Sequence, residues 1–138
     1  MPGQTCGEGA AGPRSGLGAA HLIAFLATTN AERARTFYGS VLGFRLTTDD
    51  PFALVFDANG VMLRIQKVDA VSPVPYTTLG WHVDDIGATM QALGARGVRF
   101  ERFPGLPQDE MGVWRSPAGG RIAWFNDPDG HTLSLTQF

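Results

Sequence analysis

A chain of 138 residues that is 43% hydrophobic and 10% aromatic has the size and composition of one globular domain with a moderate core. Its net charge of −2 and its single lysine, Lys67, exclude nucleic acid as an expected partner, and no apolar run reaches the roughly 20 residues of a membrane helix. One cysteine, Cys6, allows no internal disulfide and is expected to be a bystander. With no apolar segment typical of a signal peptide, these features favour a cytoplasmic protein.

The first half of the chain predicts a flexible tail and then a βαβββ module. Residues 1–19 are rich in glycine and poor in large apolar side chains, which is typical of a tail. Residues 20–67 form the first module. Its predicted elements are a strand at 21–28, a helix at 31–42 capped by Asn30 and ended by Gly43, and strands at 44–46, 52–57 and 61–67.

The second half repeats this order. Residues 68–76 contain two prolines without periodicity and are predicted to be a linker. Residues 77–138 then form the second module. Its predicted elements are a strand at 77–83, a helix capped by Asp84 or Asp85, a strand at 98–100, a long connection at 101–113, and strands at 114–116, 121–126 and 132–136. Residues 52–65 align without gaps with 122–135, which indicates a duplication within one domain, residues 20–138.

Period-two alternation in these strands predicts one face packed under the helices and one open face. The packed face contains Ala24, Leu26, Leu63, Ile65, Leu79, Trp81, Val83, Leu133 and Leu135. The open face contains Ile23, Phe25, Ala27, Met62, Arg64, Gln66, Thr78, Gly80, His82, Thr132, Ser134 and Thr136. Apolar walls with a few polar groups are typical of small-molecule sites.

The duplicated module resembles the vicinal-oxygen-chelate superfamily, which contains glyoxalase I, extradiol dioxygenases, fosfomycin-resistance enzymes and bleomycin-resistance proteins. The resemblance rests on Phe37-Tyr38 before Leu42-Gly43-Phe44 and on the Asp-Pro-Asp-Gly turn at residues 127–130, and it covers about residues 21–138. It implies an α+β fold in which two tandem βαβββ modules form a concave, half-barrel-like mixed sheet with the helices outside.

The resemblance also implies four positions for metal ligands, on the first and last strand of each module. Here those positions fall on Ile23, Arg64, Thr78 and Ser134. None of these is a good ligand for a divalent metal, and Arg64 would repel one. We therefore predict no metal ligands and no cofactor, as in the bleomycin-resistance proteins.

Arg64 is the most informative polar residue, because an arginine that points inward from a central strand needs a partner. It is interpreted as a clamp for a ligand anion, or else as the partner of Glu101, Asp109 or Glu110, or as a residue at the rim of the open face. His82 is a candidate general base or donor, or else a structural group at the end of its strand. Glu110 is a candidate lid carboxylate over the open face, or else a solvated charge of the loop. The strand alternation places His131 on the packed face, and His21 lies at the junction of the tail and the first strand. Both are expected to be structural.

The sequence therefore predicts a protein that binds a small organic molecule, anionic or aromatic. The candidate ligand-binding residues are Phe25, Met62, Arg64, Gln66, Thr78, His82, Trp114, Trp124 and Ser134, although both tryptophans could equally be core. The alternative is a lyase, isomerase or dioxygenase of the same superfamily, either metal-free with His82 and Arg64 or with atypical metal ligands. The candidate catalytic residues are His82, Arg64 and Glu110. Exposed strand edges in each module predict a homodimer, with no nucleic acid or membrane partner.

Overall fold

The computed structural model describes residues 16–138, and most of the predicted tail, residues 1–15, lies outside them. A single 3₁₀ turn, Leu17–Ala19, precedes the first strand. Module one then contains β1 (Ile23–Thr28), α1 (Ala31–Arg35) continued by a π-helical segment (Thr36–Val41), β2 (Arg45–Asp49), β3 (Ala53–Ala58) and β4 (Val61–Lys67). Module two contains β5 (Thr77–His82), α2 (Ile86–Ala95), β6 (Trp114–Arg115), β7 (Arg121–Asn126) and β8 (Thr132–Gln137).

Each module forms its own four-stranded mixed sheet, and the two sheets have the same topology. The strand order is β1-β4-β3-β2 in module one and β5-β8-β7-β6 in module two. The first and last strands of each module pair in parallel, and all other pairs are antiparallel. Neither sheet closes on itself, so the α+β architecture of two tandem modules with open sheets and outer helices is confirmed.

The helices begin where the sequence places a capping side chain. Asn30 Oδ1 accepts a hydrogen bond from the Arg33 N–H, and Asp85 Oδ1 accepts one from the Ala88 N–H. In the β3–β4 hairpin, Asn59 and Gly60 both adopt positive φ, 53° and 90°. An Asn-Gly pair tolerates this geometry, which matches the twist of the flanking strands.

One continuous core lies between the helices and the packed face of both sheets. It includes Leu26, Leu63 and Ile65 of module one and Leu133 and Leu135 of module two, as the alternation predicts. Helical side chains complete it: Ala34, Tyr38, Ile86, Met90 and Leu93. No helix among residues 16–138 has the length and apolar character needed to cross a membrane.

The turn at residues 127–130 joins the two modules. Asp129 accepts hydrogen bonds from Thr28 Oγ1 (2.5 Å), the Thr29 N–H (2.9 Å) and Thr29 Oγ1 (2.8 Å). Partial burial raises the pKa of Asp129, but these hydrogen bonds outweigh it and hold that pKa below its usual value. The charged carboxylate of Asp129, in module two, is therefore hydrogen-bonded to the segment between β1 and α1 of module one.

A second contact through the same turn is fully buried. The Tyr38 hydroxyl donates to Asp127 Oδ2 at 2.7 Å, and Asp127 Oδ1 accepts the His131 N–H at 2.9 Å. Burial, and then the charge of Asp127, raise the pKa of Tyr38 far above its usual value, so its hydroxyl stays a donor. Burial also raises the pKa of Asp127, against the hydrogen bonds from Tyr38 and His131 that lower it.

Two predicted elements differ in the structure. The helix expected over 31–42 is α-helical only to Arg35, because the following turn widens where Phe37 and Tyr38 reach across to module two. The strand expected at 98–100 is reduced to a single bridge between Phe100 and Phe125. The outer strand of the second sheet is instead the short β6.

Candidate functional site

The open face of module one is largely apolar around the guanidinium of Arg64. Phe25, Arg64 and Val55 lie side by side on β1, β4 and β3, since they are paired in register. Phe25 is 56% exposed, and Ile23 and Met62 beside it are 45% and 43% exposed. This is a large fraction for side chains of this size, and it leaves the first sheet with an uncovered apolar surface.

Arg64 is half-buried on this surface and has no ion-pair partner among residues 16–138. The ion pairs found there join other residues: Arg35 and Lys67 to Asp49, and Arg45 to Asp57. The expected alternative, an ion pair of Arg64 with Glu101, Asp109 or Glu110, is therefore wrong. The N–H groups of Phe52 and Ala53, and more weakly the charge of Arg64, lower the pKa of Asp50.

A cavity of about 270 Å³ lies at the seam between the modules. Phe25 and Gln66 line it from module one, and Thr78 lines it from module two, so three predicted ligand-binding residues are brought together. Ser72 and Val74 of the linker and the buried His131 complete its wall. The His131 ring is fixed there, because its Nε2 lies 2.7 Å from the Ala27 carbonyl oxygen, as expected for a structural histidine.

The open face of module two has an aromatic cluster. The Trp114 and Trp124 ring centroids are 6.1 Å apart with an interplanar angle of 33°. Phe103 is 40% exposed. Its ring centroid lies 5.4 Å from that of Trp124, and the two ring planes make an angle of 87°. The indole N–H of Trp124 donates to Thr77 Oγ1 at 3.0 Å, which fixes the indole ring.

Ser134, on β8, lies beside Trp124 of β7 and is only 7% exposed. Its neighbour on β5 is Gly80, and a Cβ at Gly80 would stand 2.5 Å from Ser134 Oγ. Glycine at position 80 therefore makes room for the hydroxyl of Ser134. Ser134 is thus the most enclosed of the predicted ligand-binding residues.

The long connection at 101–113 is tied down by its own side chains. Gln108 Nε2 donates to the carbonyl oxygens of Glu101 (2.9 Å) and Gly112 (2.7 Å), and Gln108 Oε1 accepts the Phe103 N–H (2.8 Å). Asp109 Oδ1 accepts the N–H groups of residues 111–113. Glu110, the candidate lid carboxylate, is an exposed residue of this connection.

His82 stands apart from these groups. It is exposed at the end of β5, and its ring contacts Phe138 edge-on, with centroids 5.1 Å apart. Within residues 16–138 no carboxylate is hydrogen-bonded to His82, so nothing there orients its imidazole as a general base. Within residues 16–138, no hydrogen bond or ion pair connects His82, Arg64 and Glu110 with one another.

The residues at the four positions where the superfamily places its metal ligands do not suit a metal in this chain. Ile23 offers no donor, Arg64 offers a cation, and Thr78 and Ser134 offer neutral hydroxyl groups, whose affinity for divalent metals is low. Across residues 16–138, no three His, Cys, Asp or Glu side chains cluster closely enough to hold an ion. The residues present thus disagree with the metal chemistry that the fold implies.

A cavity of about 830 Å³ lies on the helix side of module two, away from the open face. It is bounded by the start of α2, residues 107–113 of the long connection, and Arg115 and Arg121. None of the predicted site residues lines it. Sequence reasoning also missed Phe103 and Gln108, and the only available signal was an aromatic side chain inside an unusually long connection.

Comparisons with known proteins agree with this architecture. A family model described as Glyoxalase/Bleomycin resistance protein/Dioxygenase superfamily matches residues 18–135. No curated protein sequence matches the chain.

Solved structures resemble the chain at low sequence identity. TnmS3, an antibiotic-binding protein from Streptomyces sp. CB03234, is 25% identical with a TM-score of 0.64, over 86% of this chain and 95% of its own. A glyoxalase-related enzyme from Fulvimarina pelagi is 22% identical with a TM-score of 0.66, over 87% and 88%. A lactoylglutathione lyase from Agrobacterium tumefaciens is 18% identical with a TM-score of 0.65, over 86% and 93%. The match of the family model over nearly the whole domain shows that the chain belongs to the glyoxalase/bleomycin resistance protein/dioxygenase superfamily.

Proposed function

We propose that the protein binds a small organic molecule, anionic or aromatic, on the open face of its sheets, without metal ligands at the usual positions of the superfamily. The observation that carries this proposal is Arg64. A permanently charged guanidinium is half-buried at a central strand position, without an ion pair among the described residues. A ligand anion would satisfy it.

The surroundings of Arg64 support the same function. Phe25, Ile23 and Met62 provide uncovered apolar surface beside it, and the seam cavity adds the side chains of Gln66 and Thr78. An antibiotic-binding protein shares the fold at 25% identity, which is a precedent for ligand binding by this architecture. We also propose that a second copy of the chain covers part of the apolar surface in a homodimer.

A ligand screen by thermal shift, followed by affinity measurement on one substitution, tests the proposal. Arg64→Met keeps most of the side-chain volume and removes the charge, so an anionic ligand should lose about 2–4 kcal/mol of binding free energy. The melting temperature should stay nearly unchanged or rise, since Arg64 has no ion pair among the described residues and interacts only weakly with the charge of Asp50. Arg33→Met, the same substitution at an exposed residue of α1, is the matched control.

An unchanged affinity in Arg64→Met would contradict the anion clamp. The alternative function, a lyase, isomerase or dioxygenase, predicts turnover together with a bound metal or a pH–rate limb in the histidine range. Elemental analysis of protein purified without added metal tests the metal-dependent form of this alternative, and the pH–rate profile tests the metal-free form. One equivalent of metal lost on substitution of Thr78 or Ser134 would overturn the proposal.

A further inference from the structure

Phe103 and Trp124 form an aromatic corner on the open face of module two. Their ring planes are nearly perpendicular, at 87°, and their centroids are 5.4 Å apart. The ring of Trp114 lies next to that of Trp124, and the two ring planes make an angle of 33°. All three side chains keep part of their surface in solvent, so the corner is accessible from the open face.

A perpendicular corner selects for shape. A flat ring that lies on one wall presents its edge to the other wall, and aromatic rings favour both the stacked and the edge-to-face arrangement. A puckered, saturated skeleton of the same size can contact either wall but gains neither arrangement. The corner therefore discriminates on planarity as well as on hydrophobicity.

Both walls are held in place. Trp124 is fixed by its hydrogen bond to Thr77 and by its position on the central strand β7. Phe103 lies on the long connection, but Gln108 binds the Phe103 N–H and also links the two ends of that connection at Glu101 and Gly112. A wall that is ordered before the ligand arrives loses less entropy on binding.

We propose that Phe103 is a specificity-determining residue that selects planar aromatic ligands, and that Gln108 is the positioning residue that holds it against Trp124. This inference rests on the proposed binding of a small organic molecule. It specifies the class of ligand that the open face of module two would bind. Gln108 acts through Phe103 and need not touch the ligand.

Two probes that share a carbon skeleton test the inference. Anthracene-2-carboxylate is flat, whereas its fully saturated analogue, perhydroanthracene-2-carboxylate, is puckered and carries the same charge. Calorimetric titration gives a Kd for each, and the ratio cancels any contribution of the carboxylate. We expect the wild-type protein to bind the flat acid about tenfold more tightly.

Four variants locate the source of that ratio. Phe103→Leu should lower it by about threefold to tenfold, and Gln108→Leu should lower it similarly although Phe103 is still present. Phe103→Tyr retains the ring and should retain the ratio. Phe52→Leu, which removes a 76% exposed phenylalanine elsewhere, should leave the ratio unchanged.

The outcomes separate the two proposals. If both acids bind but Phe103→Leu and Gln108→Leu leave the ratio unchanged, the inference is overturned and the proposed function stands. If neither acid binds the wild-type protein, both fail for this ligand class. If Phe103→Leu changes the oligomeric mass in sedimentation without changing the ratio, the corner is a subunit contact and the inference is overturned.

Discussion

Replacing Asp129 with alanine should weaken the attachment of module two to module one. The substitution removes three hydrogen bonds, from the Thr28 hydroxyl and from the N–H and hydroxyl of Thr29. A net hydrogen bond contributes about 1 kcal/mol at such a partly exposed site. Because the Thr28 hydroxyl can still donate to the Asn30 carbonyl oxygen, 3.1 Å away, part of one bond is recovered. The expected loss is about 2 kcal/mol of unfolding free energy.

Urea unfolding at pH 7 measures this loss as a shift of the midpoint at constant slope. Asp69→Ala, at an exposed carboxylate of the linker, is the control and should change the unfolding free energy by less than about 0.5 kcal/mol. In a double-mutant cycle, Asp129→Ala and Thr29→Ala should couple by about 0.5–1 kcal/mol, since the two side chains are in contact.

The pH dependence gives a second measurement. The pKa of Asp129 is lower in the folded protein than its unfolded value of about 4. Its stabilising contribution is therefore present above that pH and is lost as the pH falls through the folded pKa. The difference between wild type and Asp129→Asn should be full at pH 7 and shrink below about pH 4. A difference that stays constant, or an Asp129→Ala loss below about 0.5 kcal/mol, would refute the stabilising role of the ionised Asp129 carboxylate.

Three further predictions concern the core, the open face and the assembly. Tyr38→Phe should cost about 1–3 kcal/mol in unfolding free energy, because buried Asp127 Oδ2 loses its donor; the urea midpoint measures this, and an unchanged midpoint contradicts it. Gly80→Ala should destabilise by about 1–3 kcal/mol through the clash with Ser134 Oγ, and adding Ser134→Ala should restore most of that stability; thermal melts of the single and double variants check this. Light scattering at micromolar concentration should give twice the chain mass, and a monomer mass would refute the homodimer.

Local signals were sufficient to predict most of the fold. Alternation assigned Leu26 and Leu63 to the core and Arg64 to the open face, because neighbouring side chains of a strand must point to opposite faces. Capping chemistry identified Asn30 as the start of the first helix and left Asp84 and Asp85 open for the second, where Asp85 is the cap.

Long-range contacts explain what the sequence could not predict. The helix at 31–42 has ordinary periodicity, yet its second half widens to a π-helical segment where Phe37 meets Phe125 from the other module. Trp124 was among the predicted ligand-binding residues, but Phe103 was missed for the same reason. Phe103 contacts Trp124 from a connection that Gln108 closes through three backbone contacts, and no local pattern encodes such a closure.

The contact between Tyr38 and Asp127 has a consequence for synthesis on the ribosome. All strands of module one have been translated by Lys67, yet the fully buried hydroxyl of Tyr38 finds its acceptor 89 residues further along the chain. A buried donor without an acceptor is costly, so the nascent first module should not close around Tyr38 before Asp127 emerges. Closure of the first module around Tyr38 therefore waits until residue 127 has been made.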